Sequence, residues 1–261
     1  MDTPKNEQAK VNDREKAWAP PVKRISVTGA PAGAMNLNVD GRQPASPLQG
    51  FGQMWQKTFR IQLKGVSLPL TDIMRIWREN FSQFQPPENR FYPAMTGVQP
   101  GAVLLIDAKV PPFPGMPSIM PVSTGVMVLY ADEESFTVMC PEGHPLSGWN
   151  TFRVFDDDGT LVAEVQEQSR ASDPLYEFFF RFLGSSNQQD KIWVHVLNSL
   201  AEHLGVNGQV TTSKLLIDPR VQWSHAGNIW NNAAIRTFFY LLASPFRWIA
   251  RKLIKSPSDR E

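Results

Sequence analysis

The 261-residue chain has a single cysteine, Cys140, four histidines, and a formal charge of only +1 from 26 basic and 25 acidic side chains. One thiol excludes an intramolecular disulfide and fits a reducing compartment. Near-neutrality removes any global field that would hold nucleic acid, so a nucleic-acid partner is not expected. The scattered histidines show no metal-ligand spacing, and there is neither a phosphate-cradling glycine motif nor a Gly-x-Ser-x-Gly elbow; no metal and no cofactor is expected. The opening residues Met1-Asp2-Thr3-Pro4-Lys5-Asn6-Glu7 are too polar for a secretory core, which reads as cytoplasmic. What the chain does have is 42% hydrophobic residues, enough to bury a substantial core.

The strongest pattern is a series of β-favouring runs, Val122 to Tyr130, Phe136 to Cys140, Trp149 to Phe155 and Thr160 to Ser169. They are joined by residues 131–135, 141–148 and 156–159, all rich in turn-forming types, and spacing this short predicts an antiparallel meander. Upstream, residues 1–34 lack periodicity and are expected to be a flexible arm. Met35 to Val39 alternates enough for a short strand, and Phe51 to Trp55 is expected to lie as a strap over a core edge. Thr58 to Val66 alternates as a half-buried strand. Ile73, Trp77, Phe81 and Phe84 then recur at helical spacing, and Gly101 to Lys109 reads as another strand. The proline-rich stretch 111–121 fits no regular element, so its Met116 and Met120 either fold onto the sheet or meet a ligand.

After the meander, Asp173-Pro174 opens an aromatic-rich helix. A longer helix follows over about Asp190 to Leu204, stopped by Gly205, with Ile192, Val196, Leu200 and Leu204 in one stripe and Trp193, Leu197 and Ala201 beside it. Residues 210–217 suit a further strand, and a final helix is expected from Asn228.

Strand, helix, antiparallel meander and long amphipathic helix is the order in which a curved sheet closes around a helix: an α+β fold. In this pattern, over Thr58 to Gly205, the chain resembles the helix-grip superfamily (SRPBCC type), which includes START lipid-transfer domains, Bet v 1-like proteins and aromatic polyketide cyclases. It is also similar to uncharacterised bacterial proteins that carry a Gly-His-Pro turn before an aromatic-rich strand, here Gly143-His144-Pro145 and Ser147-Gly148-Trp149-Asn150-Thr151-Phe152. The resemblance implies a ligand-binding domain over 35–220 with an elongated apolar cavity between sheet and helix, and a hydrophobic small molecule or lipid as partner. Alternation supplies wall candidates: Leu161, Ala163 and Val165 on the strand, Trp193, Val196, Leu197 and Leu200 on the helix, and Met116 and Met120 on the loop. Glu164, Gln166, Gln168 and Arg170 point the other way, toward water.

His144 is the main candidate for chemistry, with Glu142 two residues away to orient its imidazole and Cys140 four away as a thiol to activate. The prolines and glycines around it explain the segment equally as a rigid turn. His195 and His203 lie off the buried stripe. The Asp156-Asp157-Asp158-Gly159 run lacks the loop length and closing glutamate of a calcium site and reads as a hairpin turn.

Residues 221–261 form the third expected region, an amphipathic basic helix and tail. Arg236, Tyr240, Ser244, Arg247, Arg251 and Lys255 fall on a narrow polar face, with Lys252 and Trp248 nearby and Pro245 as an interruption. It contains no uncharged run of about 18 residues, so it is not expected to span a bilayer. A cationic helix bearing Trp and Phe suits an anionic membrane surface, and the alternatives are the protein's own sheet or a second copy of the chain. Three functions stay open: a ligand- or lipid-binding protein at the membrane surface; a cyclase-, dehydratase- or isomerase-type enzyme using His144 or Glu142; and an assembly protein with a filled core.

Overall fold

The computed structural model describes residues 15–110, 116 and 119–244. The meander forms as expected, as β4 (Met120–Ala131), β5 (Ser135–Met139), β6 (Leu146–Asp157) and β7 (Thr160–Ala171), preceded by β1 (Met54–Gln62), β2 (Asn89–Tyr92) and β3 (Val103–Val110). An eighth strand, β8 (Thr211–Asp218), completes a sheet in the order β2-β3-β4-β5-β6-β7-β1-β8, in which every neighbouring pair is antiparallel. The sheet is curved and unclosed. Its helices are α1 (Leu70–Glu79), α2 (Pro174–Phe182), α3 (Ser185–His203) and α4 (Ala233–Leu242).

Two periodicities meet on the concave face. Phe59 and Ile61 of β1, Phe136 of β5, Phe152 and Val154 of β6, and Ala163 and Val165 of β7 point inward at alternate positions. Ile73, Met74 and Trp77 of α1, and Val196, Leu197 and Leu200 of α3, meet them at helical spacing. Trp77 packs edge-on against Phe152 with centroids 5.6 Å apart, and Phe136 stacks on Phe152 at 4.5 Å. A smaller cluster on the other face joins Ile25, Val39, Tyr92, Leu105 and Met127.

Several expectations change. Residues 15–34 were expected within a flexible arm, yet Trp18 bridges to Tyr130, Ala19 N donates to Leu129 O at 2.8 Å, and Ile25 is buried. Isolated anchors rather than a periodic face hold this stretch, which is why pattern alone missed it. Residues 35–39 form no strand, β2 was not anticipated, and a 3₁₀ segment at Trp223–Asn231 delays the final helix to Ala233. Pro121 lies inside β4, opposite Lys109, at a level that β5 does not reach. There a missing N–H costs little. Residues 111–115, 117, 118 and 245–261 lie outside the described residues.

Candidate functional site

The core fills only one end of the concave face. At the other end, bounded by the first half of β4, the start of β6, the first two turns of α3, and helices α2 and α4, lies a cavity of about 990 Å³. Phe81, Ile106, Val126, Val138, Tyr176 and Trp193 contribute to an interior that is mostly apolar, while exposed Glu88, Lys109 and Lys191 also border it. The hollow follows from the sequence of α3. Its first turns, Ser185-Ser186-Asn187-Gln188-Gln189-Asp190-Lys191, are polar and cannot fill an apolar space, whereas Val196, Leu197 and Leu200 further along can.

A buried polar clamp holds these first turns against the sheet. The Lys57 ammonium on β1 donates to Asp190 Oδ1 at 2.8 Å and to Ser186 Oγ at 3.1 Å, and lies 3.9 Å from Glu167 Oε1. Glu167 on β7 accepts from Trp193 Nε1 at 3.0 Å, Gln189 Nε2 at 2.7 Å and Ser169 Oγ at 2.9 Å. Buried charges persist only when paired and hydrogen-bonded in this way. A second, polar cavity of about 250 Å³ adjoins the clamp and shares Leu146, Phe180 and Gln189 with the larger one.

The other side is built on the Gly-His-Pro turn. Gly143 has φ +87°, and a Cβ there would come within 2.0 Å of Asn231 O; its own carbonyl accepts from Ala233 N at 2.9 Å. Asp173 caps α2 by accepting from Leu175 N at 2.8 Å and Tyr176 N at 3.0 Å, while Asn232 caps α4 by accepting from Ile235 N at 3.0 Å. The two caps bond to each other, Asn232 Nδ2 to Asp173 Oδ2 at 2.8 Å, and the Tyr176 hydroxyl accepts from Ala234 N at 3.1 Å. Helices α2 and α4 are thus fixed as a pair over the cavity. Further along, Thr237 Oγ1 accepts from Ser123 N at 3.1 Å, taking a β4 donor at a level beyond the end of β5.

The catalytic candidates separate. His144 is half-buried on the cavity wall with Nδ1 3.1 Å from both Leu146 N and Leu146 O, and burial pushes its pKa down to about 4. Glu142 is not on that wall: it accepts from Asn231 Nδ2 at 2.8 Å and lies 3.6 Å from Arg42. Burial, with the nearby Glu167 charge, holds the Cys140 thiol far above its ordinary range, so it is no activated nucleophile. The turn is fully used as scaffold.

Of the wall candidates, Trp193 and Met120 line the cavity. Ala163, Val165, Val196, Leu197 and Leu200 instead pack in the solid core, with Leu161 against its edge, because α1 fills that end with Trp77. Met116 is 47% exposed and does not border the cavity. Of the outward set, Glu164 is buried under Arg60 and Arg153, each 2.6 Å away, and Arg170 is buried against Asp218 at 2.6 Å. Alternation set their direction correctly, but these two do not meet water. Lys57, Glu167, Thr124 and Tyr176 stand outside the candidates that sequence pattern supplies. A lysine at the inward parity of β1 and a glutamate continuing the Ala163, Val165 series were the available signals.

Arg236, expected among the residues that meet a membrane, instead packs on the protein itself: its Nε donates to Asn38 Oδ1 at 2.9 Å, half-buried against the body. The polar side of α4 faces the sheet, and Phe238, Phe239, Leu241 and Leu242 are exposed. Arg247, Trp248, Arg251, Lys252 and Lys255 lie outside the described residues. Among the described residues, no helix is long and apolar enough to cross a membrane and no metal-ligating cluster gathers.

The long helix α3 packs along β1 and β7 within an antiparallel sheet whose first strand closes onto its seventh. The chain has the helix-grip fold. No protein-family model and no curated protein matches it in sequence. Among solved structures, a START superfamily protein from Mycobacterium smegmatis shares 16% identity at TM-score 0.39, over 59% of this chain and 98% of that one. Ara h 8.0201 shares 13% at TM-score 0.38, over 57% and 97%. The di-domain ARO/CYC StfQ from the steffimycin biosynthetic pathway shares 8% at TM-score 0.36, over 59% and 53%. At such values the assignment of the helix-grip rests on the sheet order and the position of α3, and function rests on the cavity itself.

Proposed function

We propose that the protein binds a hydrophobic small molecule or lipid in the cavity beneath α2 and α4, and does so at a membrane surface. The supporting observation is the cavity's size and lining: about 990 Å³ of mainly apolar space, at the upper end of the range of about 300–1,000 Å³ usual for ligand sites. An assembly protein with a filled core has no use for such a hollow. An enzyme of the cyclase, dehydratase or isomerase kind is less well supported, since Glu142 stands outside the cavity and a His144 pKa of about 4 makes a weak base near neutral pH.

The membrane part is supported by the exposed apolar residues at the end of α4, Leu241 and Leu242 with Phe238 and Phe239 at the cavity border, and by the basic residues Arg247, Arg251, Lys252 and Lys255 that follow it in sequence. Binding of the neutral dye N-phenyl-1-naphthylamine tests the cavity: saturable fluorescence enhancement is expected, and its absence refutes the reading. Sedimentation with anionic vesicles tests the surface. Deleting residues after Ser244 leaves the Thr237 anchor of α4 in place and is expected to abolish co-sedimentation; unchanged partition of the shortened protein would refute the membrane role.

A further inference from the structure

Two residues of the cavity wall each carry a fully buried polar atom with no hydrogen-bond partner among the described residues. These atoms are Asn150 Oδ1 on β6, in a residue 6% exposed, and Thr124 Oγ1 on β4, in a residue 3% exposed. Each side chain lies on the inward face of its strand, in line with Phe152 and Val154 in one case and Val126 and Val128 in the other. Unpaired buried polar groups are rare and costly, and a pair of them in an otherwise apolar hollow marks where a ligand presents polar atoms.

Their surroundings narrow the chemistry. Asn150 sits opposite Glu167 on β7, but the Glu167 carboxylate is engaged by Trp193, Gln189 and Ser169 beside Lys57. His144, on the same wall, offers a ring whose charged form is disfavoured by burial, and the Tyr176 hydroxyl is already engaged by Ala234 N. The charged residues that border the cavity, Glu88, Lys109 and Lys191, are all exposed. An ionised headgroup taken to the floor would therefore be desolvated without a counter-charge, whereas a hydroxyl can both donate and accept.

Building on the cavity as the binding site, we infer that its ligand is a neutral, apolar molecule bearing a hydroxyl group, which enters polar end first and hydrogen-bonds to Asn150 and Thr124. A charged group, where the ligand carries one, stays at the exposed border. The orientation is the reverse of a lipid whose tail leads and whose head remains outside.

A matched pair of neutral probes, 2-naphthol and 2-methylnaphthalene, tests this by displacement of N-phenyl-1-naphthylamine from the full-length protein. The ratio of their affinities cancels the size of the ring system. The double variant N150L/T124V is expected to shift that ratio at least about tenfold toward 2-methylnaphthalene, each displacement being referred to the dye affinity measured for the same variant. An unchanged ratio with dye binding intact overturns the inference and spares the cavity reading; wild-type protein that binds no dye overturns both. If the double variant does not fold, Thr124→Val alone is expected to move the ratio about threefold, and no movement there overturns the inference as well.

Discussion

The two ends of the concave face share their strands, yet one is solid and the other hollow. At the solid end, Phe136 and Phe152 are covered by Trp77 of α1 and by Val196, Leu197 and Leu200 of α3, and large fully buried side chains occupy the space. At the hollow end, the same β4 and β6 present Thr124 and Asn150, and α3 presents Gln188, Gln189 and Lys191. The large apolar side chains there, among them Phe91, Phe179, Phe180 and Trp193, border the gap without closing it, and the Lys57–Glu167–Asp190 clamp, the paired caps Asp173 and Asn232, and the Thr237 anchor tie its surrounding elements in place. At the hollow end apolar packing stops while polar bonding continues.

Changes at the solid end should cost most. Phe152→Ala is expected to lower stability by about 3–5 kcal/mol in urea titration, with the cavity term adding to lost burial; a loss below about 1 kcal/mol would mean the end is not packed as described. Lys57→Met should cost a similar or slightly smaller amount, about 3–5 kcal/mol, because Glu167 and Asp190 lose their cation. It should also weaken dye binding as α3 loses its hold on the sheet, and normal affinity in a folded variant would separate the clamp from the hollow. A third contrast adds volume. Val154→Phe, in the core, is expected to destabilise by about 1–3 kcal/mol, and Val122→Phe, on the cavity wall, by less than about 1 kcal/mol with loss of dye binding. Equal penalties would erase the distinction between the two ends.

The last effect expected is confined to acidic pH and vanishes at neutrality. His144 has an ordinary pKa of 6.5 and a folded value near 4, so between those values the unfolded chain holds more protons. Stability should therefore fall as pH drops from about 6.5 toward 4 and be unaffected by this group above that window. His144→Gln should flatten the slope in urea midpoints across the same range; an unchanged slope would show that the ring is hydrated.

Alternation and helical spacing made the meander, α1 and the buried stripe of α3 legible, because those signals depend only on which residues must leave water. The place of the hollow was not legible in the same way. Leu161, Ala163 and Val165 look like cavity wall by parity, and parity cannot say that Trp77, about ninety positions away, fills the space before them. Glu164 shows the same limit on the other face, since its direction was clear but the cover provided by Arg60 and Arg153 was not. Long-range partners decide these cases, as they do for Trp18 and Ile25. The Gly-His-Pro turn was visible as a rigid element, but the approach of Asn231, which with the left-handed backbone of Gly143 leaves no room for a side chain, was not.

The position of β1 carries a consequence for how the chain assembles. Trp55 pairs with Ser169 on one side and Leu216 on the other, so a strand made early waits for two partners that are made late. Closing such distant pairings orders a long intervening loop before the contacts compensate for it, which slows folding. During that delay the meander from β2 to β7 can form from neighbours alone, while β1 exposes both backbone edges. Conversion of an intermediate holding the meander to the native state is then governed by the capture of β1, and hydrogen exchange during refolding should protect Phe136 and Phe152 before Phe59 and Ile61.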